Sequence, residues 1–287
     1  MNFGILFSLL VTTTTMASII GPDDRVDTKL SAQKWQDLGK SVPAMIQNQR
    51  IKALPNGLFE LQGKPMTQIG LCEGELYAEE SSIANCSASF IGKNKVLTAA
   101  HCLDEKVYAC ETYSVVFDYQ RSDIPMASPY ILDKSQIYKC KSVIFSKFDP
   151  SVRGIDLAVI ELDRDVVGRE PIKLDFRQNL KVNDPLVMIG YPLGISQKVV
   201  ESGKVLKLDK KNVSFSHDLD SFSVNSGGPI FSEEGKQVGV LARGTGLNID
   251  YHPGKKCGSW GVGKEGVDYS EGNDLSPLAS LLMSENR

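Results

Sequence analysis

A long series of short β-branched runs, separated by turn residues, constrains the fold more than any other feature of this sequence. Strands at this spacing indicate an antiparallel barrel or sandwich and argue against alternating β–α units. They fall into two groups that divide near Pro171, which predicts two β-barrels. The predicted strands are 87–91, 95–98, 113–119, 141–145, 157–162, 186–191, 197–208, 212–215, 228–231 and 237–242.

The N-terminus has the pattern of an export signal. The first 21 residues carry no charged side chain, and their apolar run at 5–11 is too short to cross a bilayer. Small residues follow at Ala17 and Ser18, which predicts a signal peptide over 1–18 and a secreted or periplasmic protein. A retained membrane anchor is the alternative, because no Lys or Arg precedes the apolar run. After cleavage, no stable membrane association is expected.

The rest of the chain divides into three parts. Residues 19–66 precede most of the strand signals and carry one apolar stripe at helical spacing. They are expected to form an N-terminal extension packed on the barrels, with a cleaved propeptide as the alternative. The first barrel is expected over 67–170 and the second over 171–287. A Ser cap and spaced leucines predict a closing helix at 276–285.

Composition narrows the classes of function. The net charge is −3, and the 32 basic and 35 acidic side chains are well mixed, so nucleic acid is not an expected partner. Six cysteines in an exported chain predict disulfide bonds. The chain has no Cys-x-x-Cys pair and only three histidines, so we expect no metal site and no cofactor. A monomer is expected.

His101 is the strongest candidate for a general base. It lies in "VLTAAHCLD", directly after an apolar strand, and Cys102 beside it is available for a disulfide. A bond from Cys86 to Cys102 would close a short loop around the histidine and hold the base in position. The other four cysteines still allow three pairings, of which we expect Cys110 with Cys140 and Cys72 with Cys257.

A carboxylate and a nucleophile complete the set. Asp156 opens the most apolar strand of the chain, and a partly buried carboxylate holds an imidazole in one tautomer. Asp104 and Asp149 are weaker alternatives in more polar surroundings. Ser226 precedes Gly-Gly-Pro, where small residues let the chain turn sharply and expose a hydroxyl beside backbone N–H groups.

Three segments together resemble a known family. "LTAAHC", "DLAVIEL" and "NSGGPIF" are similar to the catalytic segments of chymotrypsin-fold, trypsin-like serine peptidases, and the bacterial branch that includes the glutamyl endopeptidases looks closest. The resemblance implies an all-β fold of two perpendicular six-stranded antiparallel barrels with the site between them. It also implies that His101 is the base, that Asp156 orients it, and that Ser226 attacks the scissile carbonyl.

The expected oxyanion hole consists of backbone N–H groups at Val224, Asn225 and Ser226. Val224 departs from the family, which has glycine there, and a β-branched residue resists the backbone angles that glycine adopts. A flipped peptide would turn a carbonyl into the hole and cost about 10²–10³ in rate. Asn225 replaces the aspartate with which pancreatic enzymes bind a new N-terminus, so activation by an Ile-Val cut is not expected.

Three residues are expected at the substrate side-chain pocket. Asp220 lies six residues before Ser226, where trypsins carry the aspartate that binds Arg or Lys. Leu241 stands where glutamyl enzymes have a histidine, which argues against glutamate specificity. Arg243 either attracts acidic substrate side chains or neutralises Asp220. The sequence leaves the preference open.

The sequence thus predicts an exported serine endopeptidase that acts on proteins or peptides through an acyl-enzyme. One alternative is a catalytically silent homologue that binds a protein partner, suggested by Val224. A second is an esterase for small substrates, which would hydrolyse esters and not peptides.

Overall fold

The structure is a computed structural model, and it is all-β apart from a few short helical segments. The two α-helices in the described ranges, Gln33–Gly39 and Ala279–Ser284, have seven and six residues. The described residues are 19–103, 109–121, 129–151, 154–176, 179–209, 211, 213–244 and 248–284. The predicted signal peptide at 1–18 and the weaker candidate Asp104 lie outside them.

The first barrel is formed by one sheet with seven strand segments. Two of these segments are separated by a single residue and lie at opposite ends of the sheet order, so one bent stretch contributes to both edges of a six-stranded barrel. In sheet order the segments are Cys86–Ser87, Ala44–Gln47, Tyr113–Val116, Ile137–Phe148, Asp156–Leu162, Lys95–Thr98 and Ser89–Gly92.

The second barrel is a ring of six strands with one short strand added. The ring closes because its first and sixth members also pair with each other, through Met188 and Val200 among others. In sheet order the strands are Pro185–Gly190, Pro229–Ser232, Gln237–Arg243, Ser270–Asp274, Ser214–His217, Lys198–Asp209 and the added Val26–Asp27. The predicted two-barrel, all-β class is confirmed.

Smaller elements connect the barrels. A three-stranded sheet contains Ile51–Ala53, Phe59–Leu61 and Tyr130–Leu132. Two-stranded pairs are Ile19–Ile20 with Val262–Gly263, Lys64–Pro65 with Ser81–Ser82, and Ile249–Tyr251 with Gly258–Trp260. Single 3₁₀ turns are Thr28–Leu30, Asn48–Arg50, Met66–Gln68, Ala100–Leu103, Cys110–Thr112, Lys134–Gln136, Pro192–Gly194 and Ser276–Leu278.

Burial explains which runs become central strands. Six of the seven residues in Asp156–Leu162 are buried, because this strand lies between two neighbours and is covered on both faces. The predicted strand at 113–119 ends earlier, at Val116, because Asp118 adopts φ 60°, a left-handed conformation that interrupts pairing.

Residues 19–66 are part of both barrels, and this changes the expected boundary at residue 67. Ala44–Gln47 is a strand of the first sheet, hydrogen-bonded to Tyr113–Val116 on one side and to Cys86–Ser87 on the other. Val26–Asp27 pairs with Lys198–Asp209 in the second sheet. The strand signal in "AMIQ" is too short to be separated from the surrounding loop by sequence alone.

Three disulfides join elements that lie far apart in the chain or flank the site. Cys86 is bonded to Cys102 and Cys110 to Cys140, both within the first barrel. Cys72 and Cys257, separated by 185 residues, tie the N-terminal region to the second barrel. No helix in the described ranges is long and apolar enough to span a membrane.

Candidate active site

A cleft between the two barrels contains all three candidate catalytic residues. Its enclosed volume is about 320 Å³. The first barrel contributes His101 and Asp156, and the second contributes Ser226. The complete lining is His101, Phe148, Asp156, Ser221, Phe222, Ser223, Ser226, Ala242, Arg243, Gly244 and Asn248.

His101 is held by the chain on both sides of it. The strand Lys95–Thr98 leads into the turn Ala100–Leu103, and the Cys86–Cys102 disulfide fixes the next residue. Its imidazole Nδ1 lies 2.6 Å from Asp156 Oδ2, and its backbone N–H donates to Asp156 Oδ1 at 2.9 Å. An Nδ1–H that donates to the carboxylate leaves Nε2 as the basic nitrogen facing the cleft.

Asp156 is 1% exposed, whereas the His101 side chain is 35% exposed. The aspartate backbone N–H donates to the side-chain oxygen of Asn273 at 2.8 Å, and Asn273 is fully buried. Sequence reasoning missed Asn273, because it lies 117 residues away on a strand of the second barrel. The backbone of Asp156 is therefore held by the second barrel, and its carboxylate is held by His101 of the first.

Ser226 lies on a turn that only glycine can continue. Gly227 adopts φ +83°, and a Cβ added there would lie 2.1 Å from Thr98 Oγ1 and 2.2 Å from Ser87 O. The Ser226 carbonyl accepts from the Ser87 N–H at 2.8 Å, which anchors the turn to the first barrel. Among the described contacts, the Ser226 hydroxyl has no hydrogen bond to His101; in ligand-free sites this bond often shortens only with substrate.

Val224 adopts the left-handed conformation that its residue type disfavours, with φ 75°. The preceding carbonyl, Ser223 O, accepts from the Leu193 N–H at 2.8 Å, so it is committed away from the cleft. In a trans peptide the N–H points opposite to the carbonyl, and the Val224 N–H therefore faces the cleft side. Within the described residues, neither the Val224 N–H nor the Ser226 N–H has an acceptor.

The N–H of Asn225, the third expected donor, already has an acceptor. Its N–H donates to Phe222 O at 3.0 Å, and its side-chain Oδ1 accepts from the Phe222 N–H at 2.9 Å. The residue is 2% exposed. Its side chain and its N–H close the 222–225 turn, so Val224 and Ser226 are the two expected donors whose N–H groups have no acceptor among the described residues.

We expect the strain at Val224 to appear in stability rather than in rate. The free energy of unfolding of Val224→Gly should exceed that of Val224→Ala by about 1 kcal/mol, because alanine keeps the left-handed strain that glycine removes. The glycine variant should therefore unfold at a higher urea concentration. The activity of the glycine variant should stay within about threefold of wild type, since the peptide already has the required orientation. Urea unfolding and kcat of the three proteins test this; an alanine variant as stable as the glycine variant would contradict it.

Two of the three expected pocket residues do not line the cleft. The buried Asp220 carboxylate accepts from the Ile20 N–H at 2.7 Å and from the Asp24 N–H at 3.4 Å, so it faces the N-terminal segment. Leu241 is 1% exposed and packs in the core of the second barrel. The structure thus places Asp220 against the N-terminal segment and Leu241 in the barrel core, apart from the cleft lining.

Arg243 does line the cleft, as expected. Its guanidinium donates to Gly154 O and to Asp149 O, both at 2.8 Å, which holds the side chain across the opening. The remaining pocket residues were not predicted. Among them, Asn248 and Ser223 bond to each other, with the Ser223 N–H to Asn248 Oδ1 at 2.9 Å and Asn248 Nδ2 to Ser223 Oγ at 2.8 Å.

The environment of Asp220 predicts that the stability of the protein depends on pH. Burial raises the pKa of Asp220 to about 8, with the Asp24 charge acting in the same direction and the Ile20 N–H opposing it. The folded state therefore binds this proton more tightly than the unfolded state, whose carboxyl titrates near 3.8. The contribution to stability is largest below the unfolded pKa and falls as pH rises through about 8.

Asp220→Asn keeps an oxygen for the Ile20 N–H and removes the charge. We expect the variant to have a higher Tm than wild type near pH 9 and a similar Tm near pH 4. Thermal unfolding across this range measures the difference. A variant less stable than wild type near pH 9 would contradict the assignment of a costly buried carboxylate.

One group of potential metal donors lies at the site. Side-chain atoms of Cys86, His101 and Cys102 lie within 4.8 Å of one another. The two sulfurs are bonded to each other, and a disulfide does not supply the thiolates that bind metals in such sites.

Comparison with known proteins identifies the family. A family model described as a trypsin-like peptidase domain matches residues 86–240, more than half of the chain. The chain belongs to the trypsin-like peptidase family. As a trypsin-like peptidase it is a hydrolase of the serine endopeptidase class, and its substrates are proteins or peptides.

Solved structures with the same fold include a Glu endopeptidase determined in complex with MPD, at 17% identity and a TM-score of 0.53. The match covers 93% of this chain and 98% of that one. The VesB protease of Vibrio cholerae is 15% identical with a TM-score of 0.51, covering 92% and 67%. The secreted serine protease VesC of the same organism is 18% identical with a TM-score of 0.53, covering 91% and 48%. These likenesses establish the fold.

Proposed function

We propose that this trypsin-like peptidase is an exported endopeptidase with the triad His101, Asp156 and Ser226. The observation that carries the proposal is the 2.6 Å contact between His101 Nδ1 and the buried Asp156 Oδ2, in the same cleft as Ser226. A buried carboxylate in this position holds the tautomer in which Nε2 accepts a proton.

The proposed reaction has two stages. Ser226 Oγ attacks the scissile carbonyl carbon while its proton passes to His101 Nε2, and the resulting oxyanion accepts from the Val224 and Ser226 N–H groups. The imidazolium then gives the proton to the departing amine, which leaves an acyl-enzyme on Ser226. Water repeats the sequence with His101 as base, releasing the acid and the free serine.

Arg243 is proposed as the pocket residue that contacts the substrate side chain. Its guanidinium crosses the cleft opening, while Asp220, the candidate for binding basic side chains, faces away from the cleft. Because the Asp220 carboxylate does not face the Arg243 guanidinium, the positive charge of Arg243 favours acidic or polar substrate side chains over Arg and Lys. A peptide library with varied side chains before the cut measures this preference.

Export and chain division are part of the same proposal. All six cysteines are in disulfides, and such bonds persist in oxidising compartments, which supports a secreted or periplasmic location. Residues 1–18 are proposed as a removed signal peptide, and 19–66 as an integral part of a monomeric enzyme. The barrels would then be 44–170 and 171–287, with the short helix Ala279–Ser284 at the end.

The orientation of the Ser223–Val224 peptide favours an active enzyme over a silent binding homologue. We expect a fluorophosphonate probe to label the purified mature protein and to leave Ser226→Ala unlabelled, because labelling requires an activated serine and an oxyanion site. Equal labelling of both proteins would place the reactive group elsewhere. Labelling of neither would favour the silent homologue. Hydrolysis of esters without peptides would favour an esterase.

A further inference from the structure

Arg25, in the N-terminal segment, is stacked behind the wall of the cleft. Its guanidinium carbon lies 4.3 Å from the centre of the Phe222 ring and 4.1 Å from that of Trp260. The side chain is fully buried, and Asp23 binds its Nε and Nη2 at 2.8 and 2.6 Å. A planar cation between aromatic faces fixes the rings relative to each other.

Phe222 contacts Arg25 and also belongs to the cleft lining. It lines the cleft beside Ser221 and Ser223, and its ring meets Trp260 edge-on with 4.9 Å between centroids. Arg25 therefore packs against the side chain of a residue of the cleft lining without itself lining the cleft. Sequence analysis did not single out Arg25, because its partners lie about 200 residues away.

A second connection leads from the same segment to Ser223, the neighbour of Phe222 in the cleft lining. The Ile19 N–H donates to Gly261 O at 3.0 Å, and the Gly261 N–H donates to Asn248 O at 3.1 Å. Asn248 in turn bonds to Ser223 through two hydrogen bonds. Two adjacent residues of the cleft lining, Phe222 and Ser223, are thus both connected to the residues between Ile19 and Arg25.

The Arg25 side chain carries a buried polar group that packing alone does not require. Its Nη1 is buried and has no hydrogen-bond partner among the described residues, which is an energetic cost that an apolar side chain of similar length would avoid. What the guanidinium supplies, and an aliphatic chain does not, is a positive charge held against two aromatic rings at once. This favours a positioning role over a role in core stability alone.

We propose that Arg25 is a positioning residue for substrate binding, and that the segment 19–27 remains in the active enzyme as the rear support of the pocket. This inference rests on the proposed peptidase function. It names a determinant of substrate affinity outside the catalytic residues and outside the lining of the cleft.

The test compares Arg25→Ala and Arg25→Lys with a matched control, Arg169→Ala. Arg169 also stacks on a ring, Phe117 at 4.4 Å, and also pairs with an aspartate, Asp118, but it does not line the cleft. We expect KM for a peptide substrate to rise about tenfold in Arg25→Ala with kcat within about threefold, the signature of lost binding. Arg25→Lys should recover part of that rise, and Arg169→Ala should leave KM unchanged.

Several results would overturn the inference. A KM for Arg25→Ala equal to that of Arg169→Ala would do so, as would a mature N-terminus that begins after Arg25. If the alanine variant fails to fold, Arg25→Lys alone must raise KM by about threefold. A fluorophosphonate label that persists in Arg25→Ala separates a pocket defect from a loss of the catalytic site.

A readout independent of catalysis keeps the two proposals distinguishable. The chain has two tryptophans, so in a Trp35→Phe background the emission reports Trp260 alone. Arg25→Ala should increase quenching of Trp260 by acrylamide relative to Arg169→Ala, because the guanidinium that covers the ring is gone. Unchanged quenching would refute the role of Arg25 in holding Trp260, even if the wild-type protein shows no peptidase activity. Increased quenching in a protein without peptidase activity would refute only the proposed function.

Discussion

Ser226→Ala is expected to lower kcat for peptide hydrolysis by about 10⁶, the scale seen when a serine peptidase loses its nucleophile. Methyl cannot attack the carbonyl, and no other described hydroxyl has the same relation to His101 and the two free N–H groups. The fold should be unaffected, since Ser226 Oγ forms no hydrogen bond within the described residues and the turn is anchored through the Ser226 carbonyl and Gly227.

The measurement is single-turnover and steady-state hydrolysis of a peptide identified by library screening. Ser223→Ala is the matched control, because it removes a hydroxyl from the same cleft that is already bonded to Asn248. We expect that variant to keep its activity within about tenfold and to retain fluorophosphonate labelling. A similar loss in both variants, or a Ser226→Ala enzyme with a tenth of wild-type turnover, would contradict the assignment.

The strand pattern was predictable because barrel strands are short, buried and bounded by turn residues. The run at 157–162 illustrates this, since its continuous apolar sequence corresponds to a strand buried on both faces. His217 illustrates the limit. Its polar neighbours indicate a loop, yet it ends the strand Ser214–His217 between two others and is fully buried, where burial lowers its pKa to about 3.

Candidate site residues that lie at a tight turn or directly after a strand could also be predicted from the sequence. Gly227 identifies the turn at Ser226, because a Cβ there has no room, and the strand before His101 indicates where the imidazole is delivered. The direction in which a side chain points was not accessible. Asp220 faces Ile20 and Asp24 because the N-terminal segment lies against the second barrel, an arrangement that depends on pairing across about 200 residues.

Val224 shows why residue type alone does not decide the state of the oxyanion site. The rule that a β-branched residue resists positive φ predicts a flipped peptide. The observed φ of 75° shows that the hydrogen bonds around the turn outweigh this preference. Ser223 O accepts from the Leu193 N–H, and Val224 O accepts from the Ser87 hydroxyl. A hydrogen bond therefore holds the peptide on each side of Val224. Such tertiary bonds have no signature in the local sequence.

Asp156→Asn is expected to lower kcat by about 10⁴ while leaving the fold intact. The asparagine oxygen still accepts from the His101 N–H, which the aspartate holds at 2.9 Å. Its amide then faces Nδ1 as a donor, so Nδ1 must become the acceptor and the proton moves to Nε2. The nitrogen that should take the Ser226 proton is then already protonated, and the imidazolium loses its buried counter-charge.

Asp149→Asn is the matched control, because Asp149 was the rival carboxylate in sequence and its side chain is exposed, bonded to the Ser151 N–H. Its backbone oxygen, which binds Arg243, is unchanged by the substitution. We expect Asp149→Asn to keep kcat within about threefold, whereas Asp156→Asn loses about four orders of magnitude. A loss below about tenfold at Asp156, or a larger loss at Asp149, would transfer the orienting role. The difference between these two aspartates, which lie seven residues apart, measures what burial against His101 contributes to catalysis.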